Sequence, residues 1–282
     1  MKKLPILVAY PYVGEEMLKT IADNRAHLDV IVDSGAFTAW KAGQTIEVGD
    51  YVTFIKQIQK TIKPTAYFLL DKIGDPDGTE ENYKIMLKAG LNPIPIFTRG
   101  EDPKRVDHLY QKSDRIGIGG LVGTKGNKGY VKGIMEHVGS RRVHWLGFTA
   151  TPFIQAYRPF SCDSSSWSGG GRFGKVDLYM GRGEWRSFEK TDFKKKPRTD
   201  ILERIRFYGE DPYLLSQDEA WRLDMKSANT MFKVSVKSHV HFGYEIEQKF
   251  GTKFYKAVAL APRINIGALL DAKKFLENKK II

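Results

Sequence analysis

The feature that most constrains this chain is the regular alternation of short apolar runs with helix-like stretches through its first half. "LPILVAY", "LDVIVDSG", "AYFLLD", "NPIPIFTR", "RIGIGGL", "VHWLGFT" and "FSCD" are apolar on both faces, as strands covered from both sides must be. Between them, "GEEMLKTIADNRA", "VGDYVTFIKQIQKTI", "TEENYKIMLKAG", "PKRVDHLYQKS" and "KGYVKGIMEHVGS" carry helical periodicity. That rhythm predicts parallel βα units. A doubly wound sheet and a (β/α)8 barrel both satisfy it. The barrel is favoured because polar residues recur just after strand ends: Asp33, Asp71, Arg99, Gly119, Thr149 and Asp163. Barrel active sites are assembled at that rim from many strands. The predicted class is therefore α/β, a (β/α)8 TIM-like barrel with a mostly helical C-terminal section.

The barrel is placed over residues 1–185, ending in a hairpin at "KVDLYMGRGEWRSF". Residues 186–282 follow as a basic linker, "DFKKKPR", and a mostly helical section packed on the barrel in one structural domain. Within it "FYKAVALAP" reads as a strand and "NIGALLDAKKFLENKK" as a last amphipathic helix. The start, "MKKLPILVAYPYVGEE", has a basic and an apolar part but holds prolines and no small-residue cleavage site. It reads as a first strand, not a signal peptide. No apolar run is long enough for a transmembrane helix. The single cysteine, Cys162, excludes an intrachain disulfide and a cysteine-rich zinc site. These features favour the cytoplasm. Lys and Arg number 45 against 33 Asp and Glu, a net +12, and such a surface raises the expectation of a nucleic-acid partner. A basic protein with no polyanionic ligand is the plainer alternative.

Three aspartates at strand ends, Asp33, Asp71 and Asp163, are candidates for chemistry. Taken singly, each is better read as a cap for the next helix. In a barrel all three would meet at one mouth, where one carboxylate can act as nucleophile and another can carry the proton. "IGIGGLVGTKGNKG" is glycine-rich after a strand but has neither phosphate-loop spacing. It serves either as a plain turn or as bare backbone that a flat ring can approach. His239 and His241 lie in a predicted helix, where neighbours two apart diverge, and His144 reads as a core or supporting residue. No bound metal is expected.

In order and context these motifs resemble the tRNA-guanine transglycosylases. "VDSGAF" is similar to that family's D-S-G-G-F-Q, "LLDKIGD" falls where it has a base-reading aspartate, and "IGIGGLVG" resembles its G-G-L-A-V-G loop. "HWLGFTATPFIQAYRPFSCDSSSW" resembles the segment that ends at its nucleophile. The likeness spans about residues 30 to 185. The family's C-x-C-x-x-C…H zinc site is missing. Ala36 stands for the second glycine, Thr38 for the glutamine, and the Pro-Thr-Arg that the family has after its nucleophile becomes Ser165-Ser166-Trp167. This zinc-free version looks most like the DpdA-type DNA-guanine transglycosylases of phages and bacterial genomic islands, which replace guanine in DNA by a 7-deazaguanine such as preQ0.

The resemblance implies Asp163 as nucleophile on C1′, Asp33 as general acid and base, and Asp71 as acceptor for the donor edge of the purine. It implies backbone contacts from Gly119, Gly120 and Leu121, with Ser34 and Phe37 shaping the pocket and stacking on the ring. Trp167, Arg172, Lys175, Arg182, Arg186, Lys194, Lys195 and Lys196 follow the nucleophile and could contact nucleic acid; a solvated basic face is the alternative. The implied partners are DNA, or alternatively tRNA, and the free deazaguanine base, with no cofactor. The oligomeric state stays open, a monomer being favoured because the zinc subdomain that builds the family's dimer is absent. A metal-dependent or glycosidic barrel hydrolase and a catalytically dead nucleic-acid-binding barrel are the readings from other classes.

Overall fold

The computed structural model describes residues 2–121, 128–168, 174–195, 198–221 and 229–282. The chain forms two compact units, residues 1–164 with 251–259, and residues 165–250 with 260–282.

The first unit holds eight strands: β1 (Leu4–Ala9), β2 (Leu28–Asp33), β3 (Ala66–Tyr67), β4 (Ile96–Phe97), β5 (Arg115–Ile118), β6 (Arg142–Trp145), β7 (Ser161–Ser164) and β10 (Lys253–Val258). They make one all-parallel sheet in the order β3-β2-β1-β10-β7-β6-β5-β4. The α/β class and the parallel strands agree with the sequence reading. The complete barrel does not: the sheet curls but stays open along the β3–β4 seam. Both edge strands are two residues long and form no ladder with each other. Among the described residues a single isolated bridge beside them, Phe68 to Ile94, is all that crosses the seam, with Leu69 N–H donating to Ile94 O and Ile94 N–H to Tyr67 O, both at 2.9 Å. Pro93 and Pro95 also deprive the β4 region of N–H donors.

The eighth strand, β10, comes from the far end of the chain and enters between β1 and β7, pairing Ile6 with Lys256 and Tyr255 with Asp163. It lies well outside the residues 1–185 expected to build the barrel. Helices α1 (Glu15–Asp23), α2 (Ala36–Lys41), α3 (Val48–Thr61), α4 (Pro76–Lys88), α5 (Arg105–Lys112), α6 (Lys128–Val138) and α7 (Thr151–Tyr157) connect the strands. Their buried stripes follow helical spacing, as in Tyr51, Phe54, Ile55 and Ile58 of α3. Asp75 caps α4 by accepting from Gly78 N–H at 2.9 Å.

Alternation along the strands sorts the interior into layers. Leu7, Ile31, Ala66, Phe68, Ile94, Ile96 and Tyr255 pack as an apolar middle. Below it, at the N-terminal end of β2, Asp29 accepts from Thr65 Oγ1 (2.6 Å), Lys253 Nζ (2.8 Å) and Tyr255 Oη (3.0 Å). Despite its burial, those donors hold its carboxyl below the usual range.

The second unit holds the hairpin of β8 (Lys175–Gly181) and β9 (Glu184–Glu189), with α8 (Lys190–Lys195), α9 (Thr199–Phe207), α10 (Thr230–Phe250) and α11 (Pro262–Asn278). The hairpin, the long helix and the last helix were expected. The basic stretch was not: residues 190–195 are helical, pinned by buried Phe193. Tyr179 lies at the centre of this unit, its carbonyl accepting from Arg204 Nε (2.6 Å) and Tyr208 Oη (3.0 Å). No described helix is long and apolar enough to cross a membrane.

Candidate active site

β6 and β7 build one side of the site by register alone. His144 lies opposite Ser161, and Trp145 opposite Cys162. Residues two apart share a face, so Ser161 and Asp163 both project on the His144 side. The His144 ring joins them: Nδ1 lies 2.8 Å from Ser161 Oγ, and Nε2 lies 3.1 Å from Asp163 Oδ1. With the Ser161 hydroxyl donating to Nδ1, the proton sits on Nε2 and points at the carboxylate. Gly147 N–H donates to the same Oδ1 at 2.9 Å. The ring itself is buried and tilts against Phe68, 4.9 Å between centroids. Asp163 is thus fixed through one oxygen, while Oδ2 has no hydrogen-bond partner among the described residues.

Asp33 closes β2, which β1 and β10 separate from β7 along the sheet. Its Oδ2 accepts from Gly35 N–H at 3.1 Å, within a turn made possible by the left-handed backbone of Gly35 (φ 75°). Burial, reinforced by the charge of Asp163, pushes the Asp33 carboxyl up to about 6. Asp71 follows the β3 run. Burial and the charges of Asp33 and Glu101 raise it to about 7, against a bond from Ser34, which is itself buried. Each aspartate lies within electrostatic reach of the next, so a single site contains all three. Taken singly they resembled helix caps, yet none of the three caps the helix that follows it; Gly35 and Asp75 take the N-cap positions of α2 and α4.

The glycine loop follows β5. Gly119 N–H donates to Phe97 O at 2.8 Å, and Gly120 is left-handed at φ 69°, where a Cβ would lie 2.5 Å from Arg99 Cβ. A side chain is therefore excluded at Gly120 by both backbone and space. Leu121 is buried beside it. The arrangement brings together a carboxylate anchored through one oxygen, two carboxyls pushed up to about 6 and 7, and bare backbone.

Three supporting groups were not singled out as site residues in the sequence. His144 was read only as a core or supporting residue. Tyr51 on α3 donates to Phe68 O at 2.9 Å, and Asp33 and Asp71 help raise its hydroxyl. Glu101 pairs with Arg105 at 2.8 Å. Register could have identified His144, since it needs only the β6–β7 pairing.

Other expected residues fall elsewhere. Trp167, expected as a stacking face for nucleic acid, is a core residue of the second unit: 1% exposed, tilted against Phe232 at 5.9 Å, its carbonyl accepting from Ser235. Phe37 is 47% exposed and stacks on Trp40, 6.0 Å between centroids. Lys175, Arg182 and Lys195 are exposed, and Arg186 is half-buried. Arg172, Lys196 and the side chain of Lys194 lie outside the described residues. His239 and His241 diverge on α10 as expected: His239 contacts Ser235 O, and His241 contacts Arg204 and Tyr208. Burial and Arg204 push His241 down to about 4. No family model, curated protein or solved structure matches the chain.

Proposed function

We propose that the protein is a base-exchanging pentosyltransferase that replaces guanine in DNA by a 7-deazaguanine base. The observation that carries this reading is the asymmetric carboxylate trio: Asp163 anchored through Oδ1 by His144 and Gly147, with Asp33 and Asp71 raised to about 6 and 7 beside it. Two carboxyls whose environments differ this much can divide nucleophile and proton-carrier roles between them. Asp163 Oδ2 attacks C1′ of the target nucleotide. The C1′–N9 bond breaks, its electron pair leaves with guanine, and protonated Asp33 gives guanine a proton. A deoxyribosyl ester on Asp163 remains. The incoming base loses its N9 proton to Asp33, its nitrogen attacks C1′, and the Asp163 carboxylate is regenerated.

Asp71, when ionised, accepts from the purine N1–H and exocyclic amine. Backbone groups at Gly119, Gly120 and Leu121 take the other edge, and Ser34 holds Asp71. A target base inside a duplex must leave the stack to reach such a site, and the net +12 charge suits a phosphate backbone. The choice of DNA over tRNA rests on the resemblance to the zinc-free enzymes, because the two sugars differ by one hydroxyl.

The test is incubation with DNA and, separately, tRNA in the presence of labelled guanine or preQ0. Label is expected in DNA and should be lost in Asp163→Asn. Label in tRNA alone overturns the DNA assignment. Undiminished exchange in Asp163→Asn overturns the nucleophile.

A further inference from the structure

Helix α2 follows Asp33 in sequence and is built inside out. Its inward positions, Ala36 and Ala39, are small and buried, whereas Phe37 and Trp40 are 47% and 56% exposed. An ordinary surface helix does the reverse, since each large ring hidden from water contributes about 1.5–3 kcal/mol to folding. Phe37, Trp40 and Lys41 stand at spacings of three and four, on one face. The rings stack with planes 24° apart, and Lys41 Nζ lies 4.4 Å from the Phe37 centroid. No acidic group pairs with Lys41 among the described residues, and of the five tryptophans only Trp40 is exposed.

We infer that this face is a stacking platform for an unpaired nucleobase of the nucleic-acid strand, a neighbour of the target rather than the target itself. The inference rests on the proposed function. The occupant follows from the chemistry of the face. A pair of stacked exposed rings with a cation over one of them matches a nucleobase carrying its own phosphate, and base–aromatic stacking tolerates any base. Two features connect the platform to the reaction. The chain runs from Asp33 through Ser34 and Gly35 directly into α2. Gly35 is also packed so closely on Pro11 that a Cβ would lie 2.4 Å from Pro11 Cδ, so the turn between them is fixed. A target base taken from a strand leaves its neighbours unstacked, and α2 offers one of them a replacement surface.

Affinity for a labelled single-stranded oligonucleotide of about 15 nucleotides tests this, with an abasic twin of equal length and with the variants Trp40→Ala, Trp40→Phe and Lys41→Ala. Trp40→Ala is expected to weaken binding roughly tenfold or more without changing its salt dependence, and Trp40→Phe to restore most of it. Lys41→Ala should lower the slope of log affinity on log salt by about 0.7, as loss of one phosphate contact does in single strands. The abasic twin should bind the wild type as weakly as the intact strand binds Trp40→Ala, and the intact strand alone should quench tryptophan fluorescence. Equal affinity of wild type and Trp40→Ala, or of the intact and abasic strands, overturns the platform. So does a wild-type dimer in sedimentation that Trp40→Ala dissociates, because a second copy would then be the occupant. None of these readings requires base exchange. Trp40-dependent binding without exchange would leave the platform standing and sink the proposed reaction; exchange with unaltered binding in Trp40→Ala would do the opposite.

Discussion

At the scale of single residues, the site is a place where folding and chemistry conflict. Asp33 and Asp71 titrate at about 6 and 7 in the folded chain against an ordinary 3.8. Folded protein therefore binds more protons than unfolded protein between those values, and the stability slope with pH is negative. The contribution of the two groups is complete below pH 3.8 and is lost as pH rises through 6 and 7. Asp71→Asn removes the cost of ionising there, so at pH 8 it should stabilise the fold by about 1–3 kcal/mol after allowing for solvent at the rim, read as a higher urea midpoint, and flatten the pH profile. On the proposed function the same substitution should abolish recognition of guanine. In the wild type, the KM for the free base should rise as pH falls below 7, because a protonated Asp71 loses acceptor capacity. On the proposed function His144 works by positioning Asp163, which it contacts at 3.1 Å: His144→Phe should reduce kcat by about a hundredfold, the cost of a nucleophile displaced by an ångström, with little change in base affinity. Of these residues, the aspartates were legible because a carboxylate after an apolar run stands out. Trp167 was misread because a tryptophan among serines and glycines looks exposed until Phe232 and Ser235, far along the chain, are brought against it.

At the scale of elements, most short-range signals read correctly, α8 being the exception, and long-range ones did not. The hairpin β8–β9 and the helices α3, α4 and α11 follow from periodicity and turns that lie within each segment. α8 was taken for a linker because three lysines and a proline dominate "DFKKKPR". Residues Lys190–Lys195 are nevertheless helical, and their one buried apolar residue, Phe193, anchors them. The turn after β2 shows how an element positions chemistry. Gly35 is left-handed at φ 75°, and Pro11 occupies the space a side chain would need. Gly35→Ala should therefore destabilise the fold by about 1–3 kcal/mol, measured as a lower urea midpoint. On the proposed function it should also reduce activity by more than the lost stability explains, since Gly35 N–H is one of the backbone groups that hold Asp33.

At the scale of the whole molecule, the first unit cannot be completed until nearly all of the chain exists. β1 pairs with β2 on one side and with β10 on the other, so residues 4–9 wait for residues 253–258. The sequence reading missed this because "FYKAVALAP" is recognisable as a strand, whereas its partners are not written near it. Pairings of such separation carry a large loop-closure cost before they return any stability, and the sheet edges they leave open are sticky in the meantime. Removing β10 would expose the facing edges of β1 and β7 together. It would also leave Asp29 with one of its three partners, because Lys253 and Tyr255 are both on β10. A chain ending at residue 250 should therefore lose the cooperative unfolding transition of the first unit and aggregate, whereas Lys253→Met in the full chain should weaken it by about 1–3 kcal/mol through the buried carboxylate left short of a donor. Thermal melts followed by near-ultraviolet circular dichroism would separate these outcomes. A sharp transition in the truncated chain would mean that β1 and β7 do not need the strand between them.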